Sequence, residues 1–326
     1  MIMIRFLAMK LFLASGFFSF AVAESAETTK RLLFPAAYQH RWGYVDSNFN
    51  WVINPQFGQA SPFNGDLARV NIMPTGEPPF SGANYAFINL KGQVVISPKF
   101  EEVDSFSEGL AAALGSMSLN SPVPKAFGYI DQTGNWHIPP KFWTAGPFSE
   151  GIAPVQTQPA QFGYIDHDGQ LVITDSFSNA SPFSDSLAAA ARSQGQDNNE
   201  LWGYIKRDGT YFIQPQFQKA RSFKEGLAAV QTKDAQQKTL WKIITPKEEF
   251  VASCDAEDIE EFSEGLVAAK LNGRWGYIDR NGKWAIPPRF IYVSSFTSGR
   301  ALVCETESTF YFIDKFGKEL WRPAAP

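Results

Sequence analysis

Short stretches in which apolar and polar residues alternate run along the chain, each closed by Gly, Asp, Asn or Pro. This pattern predicts many short β-strands joined by tight turns. Laid over itself, it repeats: units begin at Trp42, Tyr85, Phe127, Phe162, Trp202, Trp241, Trp275 and Phe310, at spacings of 34 to 43 residues. The first 30 residues of each unit align without a gap, and connectors of 4 to 13 residues take up all variation in length. A packed core of fixed length with variable loops outside it is what stacked supersecondary units produce.

The fifth unit, WGYIKRDGTYFIQPQFQKARSFKEGLAAVQ, is representative. Its fourth position is β-branched in all eight units, from Val45 to Ile313, and an aromatic residue precedes it in seven, which marks a first strand. A turn of the type Asp-x-x-Gly follows, as at Asp131 to Gly134, and glycine is kept in six of eight units. A second strand follows, with expected inward pairs Trp51 and Ile53, Trp136 and Ile138, Tyr211 and Ile213, and Trp284 and Ile286. Proline at 55, 98, 140, 215 and 288 ends the ladder, since it lacks an N–H. A further phenylalanine, from Phe63 to Phe296, occurs in all seven complete units and is expected to be a buried anchor. The Ser-Glu-Gly-Leu-Ala-Ala stretch after it turns and enters a third short strand. The sixth unit departs from the pattern at Lys242, Glu248 and Cys254, and the eighth stops after its hairpin.

Trp-Gly-Tyr-Ile-Asp-x-x-Gly, followed by Ile-x-Pro-x-Phe and Phe-x-Glu-Gly-Leu-Ala, resembles the WG-repeat family of bacterial proteins over residues 42 to 321. The resemblance implies a β-rich repeat scaffold that mediates interactions and has no assigned catalysis. The expected fold is all-β, an open array of repeats. The alternative is a closed propeller-like ring, in which the strand-like Leu32 to Pro35 and the terminal half unit complement each other.

Outside the repeat, residues 1–23 read as a signal peptide: Arg5 and Lys10 precede the apolar run Leu11 to Val22, and Ala21-Val22-Ala23 offers a small-x-small cleavage site. Residues 24–41 form a flank with a capping strand, 42–321 the repeat domain of seven complete units and a half unit, and 322–326 a tail. The expected location is the periplasm or outside the cell. The formal net charge of −4 becomes −6 once Arg5 and Lys10 are removed, and this gives no electrostatic footprint for nucleic acid. No later segment reaches transmembrane length.

Candidate chemistry is sparse. His40, His137 and His167 have no metal-ligand spacing, and Asp166-His167-Asp168-Gly169 fits the repeat turn better than a calcium loop. Glu108, Glu150, Glu225 and Glu264 recur at one unit position, which favours a scaffold role over paired catalytic carboxylates. No enzyme and no cofactor are expected. Cys254 and Cys304 are a candidate disulfide in an oxidising compartment, with two buried thiols as the alternative. Trp42, Trp202, Trp241 and Trp275 are read as packing between units, whereas Trp143, an aromatic residue unique to its unit, is a candidate binding residue. So is Phe80, in the Pro-rich connector from Ile72 to Asn84. The expected partner is another protein of the envelope or the extracellular space; the alternative is a cell-wall glycan stacked on exposed aromatic residues.

Overall fold

In the computed structural model, residues 32–72, 85–116, 125–193, 200–306 and 309–324 are described. Their regular structure is entirely β: thirty strands in eight antiparallel sheets. Blade 5 shows the plan. A short inner strand, Asn179–Ala180, pairs with Ala188–Ser193, which pairs with Glu200–Ile205, which pairs with the outer strand Tyr211–Phe217. Blades 2, 4, 6, 7 and 8 repeat this order. In blade 3 the inner strand shrinks to a single bridge, Val103 to Ala113, and blade 1 has three strands, beginning at Phe34–Tyr38.

Blades are out of phase with the sequence units. The third strand of one unit pairs with the hairpin of the next, so Ala68–Asn71 of the first unit lies against Tyr85–Ile88 of the second. The variable connectors therefore lie between two paired strands of one blade. The gap-free stretch is the part that crosses from blade to blade, where both faces are packed and no residue can be inserted.

The buried side chains fall into eight clusters among the described residues, one for each interface between blades. The cluster between blades 5 and 6, for example, joins Tyr204, Ile213 and Phe217 to Phe223, Ala228 and Val230. Seven such interfaces would suffice for an open array. The eighth joins Phe34, Ala36 and Val45 of blade 1 to Leu302 and Phe312 of blade 8. The open array expected from sequence is thus overturned: the eight blades close into a ring, a β-propeller. Nor do the chain ends share a blade. The strand Phe34–Tyr38 completes the first hairpin by pairing with Arg41–Val45, and the last hairpin pairs with Ala301–Cys304. Closure is made by side chains packed across a seam.

The seam is mostly aromatic. Phe49 stacks on Trp321 at 5.4 Å and 8°, Trp42 meets Phe310 edge-on at 5.3 Å, and Phe34 meets Phe312 at 6.3 Å. The Trp51 indole donates to Ala324 O at 3.2 Å, and the Arg300 guanidinium donates to Ser47 O at 3.0 Å. Phe49 stands where six units have the turn glycine and holds φ at +65°, a left-handed conformation that costs a residue with a Cβ about 1 to 2 kcal/mol.

The Trp-Gly-Tyr motif has a backbone explanation. Opposite it the outer strand bulges: Trp202 faces Phe217 while Tyr204 faces Ile213, so Gln214 to Gln216 bow towards Gly203. A Cβ on Gly203 would lie 2.3 Å from Ile213 O, and Gly43, Gly128 and Gly276 meet the same obstacle. Where the sixth unit has Lys242, the bulge at this point is gone and Trp241, Lys242 and Ile243 pair in regular order with Cys254, Ser253 and Ala252. The second unit, with Ala86 at the glycine position, keeps Pro98 and the bulge, Tyr85 facing Phe100 while Phe87 faces Ile96, and the fourth keeps the bulge beside Gly163 without a proline, so the two features coincide in most units but not in all.

The tyrosine of the motif does two things. Its ring packs on the anchor phenylalanine of the same unit, as Tyr204 does on Phe223 at 4.5 Å. Its hydroxyl donates to the backbone carbonyl seventeen residues on: Tyr44 to Ser61, Tyr129 to Gly146, Tyr164 to Ser181, Tyr204 to Arg221 and Tyr277 to Ser294, at 2.7 to 2.8 Å. These buried phenols are raised well above their ordinary range by desolvation. The expected inward pairs hold for their second members, since Ile53, Ile138, Ile213 and Ile286 are buried. Of the earlier aromatics, Trp51, Tyr211 and Trp284 are half-buried against interblade clusters, whereas Trp136, beside a register shift, is 38% exposed.

Candidate interaction surfaces

In five blades, 3 to 7, the inner segment ends in an acidic turn, at Glu108, Glu150, Asp185, Glu225 and Glu264. Those turns form a chain of ties around one end of the propeller. The acid sits at positive φ, from Glu108 at +51° to Glu225 at +55°, so its carboxylate points to the next blade. Glu108 accepts from Gly151 N at 3.0 Å, Glu150 from Ser186 N at 3.1 Å, Asp185 from Gly226 N at 2.8 Å, Glu225 from Gly265 N at 2.9 Å and Glu264 from Gly299 N at 2.9 Å. A second donor comes from the hairpin turn of that next blade. Arg280 and Lys315 reach the Glu225 and Glu264 carboxylates at 3.2 Å, Arg207 reaches Glu150 O at 2.5 Å, and His167 Nε2 lies 3.2 Å from Glu108. Burial alone would raise the Glu264 carboxyl, but the Gly299 amide and Lys315 outweigh it and hold the group below its usual range. With their oxygens committed to neighbouring amides, these carboxylates are structural groups. The basic residue at the sixth unit position was the sequence signal that could have revealed them.

Inside this arc of ties lies a cavity of about 590 Å³, walled by residues at and flanking the anchor phenylalanines of blades 3 to 8. Its hydroxyls are partly spoken for: Ser107 donates to Phe148 O at 2.6 Å and Ser263 to Phe296 O at 2.7 Å. Lys224, Glu225 and Glu261 supply the charges.

At the periphery the first residues of the outer strands are apolar and exposed in five consecutive blades. They are Val94 and Val95, Trp136, Leu171 and Val172, Phe212, and Phe250 and Val251, with Phe250 61% exposed. In blades 2, 3 and 5 these edges carry the prolines of the repeat, which discourage strand addition. Of these residues the sequence reading assigns only Trp136, to the interior.

Trp143 stands 46% exposed between the outer strand of blade 3 and the inner strand of blade 4. Its amide donates to Gln156 O, which places it at the connector end, away from the ties. Phe80 lies outside the described residues, as does the 1–23 segment. Trp42, Trp202 and Trp275 are half-buried against the interblade clusters and Trp241 is fully buried, in keeping with packing between units. Cys254 and Cys304 are both buried and free. The offset between unit and blade puts them on blades 6 and 8, with blade 7 between, so the candidate bridge between neighbouring units is not formed. Burial raises the Cys254 thiol to about 11, and the Cys304 thiol is also raised by burial while donating to Thr306 O at 2.6 Å. His137 Nε2 lies 3.1 Å from His167 O, and among the described residues no three His, Cys, Asp or Glu side chains are grouped to hold a metal ion. No helix among the described residues is long and apolar enough to cross a membrane.

The WG containing repeat model matches residues 42–72, 85–114, 127–158, 162–191, 202–234, 243–275 and 275–306. No curated protein matches the chain. Among solved structures, a eukaryotic initiation factor is similar with a TM-score of 0.57 at 11% identity, over 90% of this chain and 96% of that one. BamB from Moraxella catarrhalis is similar with a TM-score of 0.50 at 9% identity, over 81% and 87%. At such identities the likeness is one of fold. The seven matched repeats are a stronger statement, and they cover most of the chain: this protein belongs to the WG-repeat family.

Proposed function

We propose that the protein is a non-catalytic interaction scaffold, exported from the cytoplasm, that docks an envelope or extracellular protein along the outer strands of blades 2 to 6. The observation that carries this reading is the apolar belt at the start of the outer strand in those five blades. Exposed apolar groups cost solubility, and their recurrence on one arc of a rigid scaffold supports a docking role. The engagement of Glu108, Glu150, Glu225 and Glu264 in interblade ties supports a structural reading of the acids that could otherwise suggest hydrolysis. Export is supported by Arg5, Lys10, the apolar run to Val22 and the Ala21-Val22-Ala23 site.

A photo-reactive phenylalanine analogue placed at Phe212 or Phe250 in the native cell should give one discrete protein adduct, while the same analogue at Lys283 of blade 7 should not. Equal labelling at all three sites, or none, contradicts the docking arc. N-terminal sequencing of the mature protein should begin at Glu24; an intact Met1 in the cytoplasm contradicts export. A second reading, glycan binding, rests on the exposure of Trp143. It requires that purified cell wall retain the protein and release it on Trp143→Ala.

A further inference from the structure

The seam between blades 8 and 1 holds a residue that the repeat does not explain. At the position of Arg300 the six other complete units have Leu67, Leu110, Ile152, Leu187, Leu227 and Leu266, each buried in its interface. Here the aliphatic side chain is replaced by a guanidinium lying over two aromatic faces, 4.6 Å from the Phe34 centroid and 4.9 Å from that of Phe49. One terminal nitrogen is used on Ser47 O at 3.0 Å. The Nε is buried and has no hydrogen-bond partner. No carboxylate is in ion-pair contact with Arg300 among the described residues, and desolvation lowers its pKa, so its charge rests on the Ser47 carbonyl and the two aromatic faces.

Arg300 also lines a cavity of about 320 Å³ that opens along the seam. The remaining wall is largely apolar, with Leu33, Phe34, Trp42, Phe63, Leu302 and Phe312 prominent and Tyr292, Ser294, Ser295 and Thr297 as the hydroxyl-bearing members. A volume of this order suits a small ligand. An unpaired cation at the wall of an apolar chamber selects for a ligand with an apolar body and a single negative head. A neutral hydrocarbon would leave the guanidinium unanswered, and a small hydrophilic anion would leave the aromatic wall uncovered.

We infer that the seam cavity is a binding site for a small aliphatic carboxylate, its head on the Arg300 guanidinium and its chain against Phe34, Trp42 and Phe312. Because the ligand bridges the first and last blades, its binding also tightens ring closure. The interaction requires no covalent step and is independent of the outer docking arc.

Titration calorimetry with decanoate, below its micellar concentration, against decanol and acetate tests the site. Decanoate should bind saturably at one per chain and acetate should not. Arg300→Leu, which installs the residue of the other units, should weaken decanoate about ten- to a hundredfold, the range for losing a charged hydrogen-bonding partner, and leave decanol unchanged. Arg300→Lys keeps the charge without the fork and should fall between the two, which preserves the test if the leucine variant does not fold. In the unaltered protein, decanoate should slow amide exchange in Phe34–Tyr38 and Ala301–Cys304. Absence of saturable decanoate binding, equal affinity for decanoate and decanol, or an affinity unaffected by either substitution would overturn the assignment.

Discussion

Replacing Phe49 by glycine tests how the ring closes, because the substitution sets two opposed effects against each other at one residue. The backbone there is already in the glycine region, at +65°, while the glycines of the matching turns lie at +76° to +80°. Removing the Cβ relieves about 1 to 2 kcal/mol of strain, and the added freedom of glycine in the unfolded chain returns about 0.4 to 1 kcal/mol of that gain. Against this stand the contacts across the seam. The half-buried phenylalanine contributes up to about 2 kcal/mol of burial. Its stack on Trp321 at 5.4 Å adds about 0.5 to 1.5 kcal/mol, and the Arg300 guanidinium at 4.9 Å about 0.5 to 1 kcal/mol more. The seam contacts win, and Phe49→Gly should destabilise the protein by about 2 to 3 kcal/mol in urea unfolding. Glu248 supplies the control: it occupies the same register position at +62° in blade 6, is exposed, and makes one contact, accepting from Gln216 Nε2 at 3.1 Å. Glu248→Gly should leave stability unchanged or raise it by up to about 1 kcal/mol. Amide exchange should rise first in the Phe34–Tyr38 and Phe310–Ile313 strands of the Phe49 variant. If the two glycine variants behave alike, the aromatic seam is not what closes the ring.

Tyr204→Phe leaves Arg221 O without its 2.7 Å donor in a buried site and should cost about 1 to 3 kcal/mol by chemical denaturation; Phe87, which packs on Phe106 without a hydroxyl, is the natural precedent that the ring alone can be accommodated. For Glu264 the folded pKa is depressed, so its contribution is present above the unfolded carboxylate range and is lost as pH falls through the folded value. Stability measured from neutral pH downward should therefore decline less steeply in Glu264→Gln than in the parent, and identical slopes would show that the tie does not titrate. Thiol titration without reductant should find neither Cys254 nor Cys304 reactive in the native protein and both reactive after denaturation; zero thiols in denaturant would demonstrate a bridge.

The repeat was legible because a side chain at one unit position meets the same surroundings in every blade. The strands, the Asp turns and the anchor phenylalanine could thus be read from recurrence. Ring closure could not, since it depends on the small rotation between blades summed eight times, and no residue encodes that angle. Its local traces were departures from the pattern: Phe49 in a glycine turn and Arg300 in a leucine position are both seam residues. The outward turn of Trp136 was hidden by a bulge, which breaks the two-residue alternation on which the inward reading rested. The ties from Glu225 to Arg280 and from Glu264 to Lys315 join residues more than a full unit apart, beyond the reach of any local motif.

The closed ring is tested most directly by a distance across the seam. Spin labels on cysteines introduced at Asn48 of blade 1 and Lys318 of blade 8, both exposed, probe the two ends of the chain. Labels at Asp208 and Gln170 probe the same register positions in blades 5 and 4, which are adjacent in sequence. Double electron–electron resonance should give one narrow distance for the seam pair, matching that of the control pair. A seam distance that is broad, or longer than the control by several blade widths, would mean that the array is open and that the account of closure is wrong.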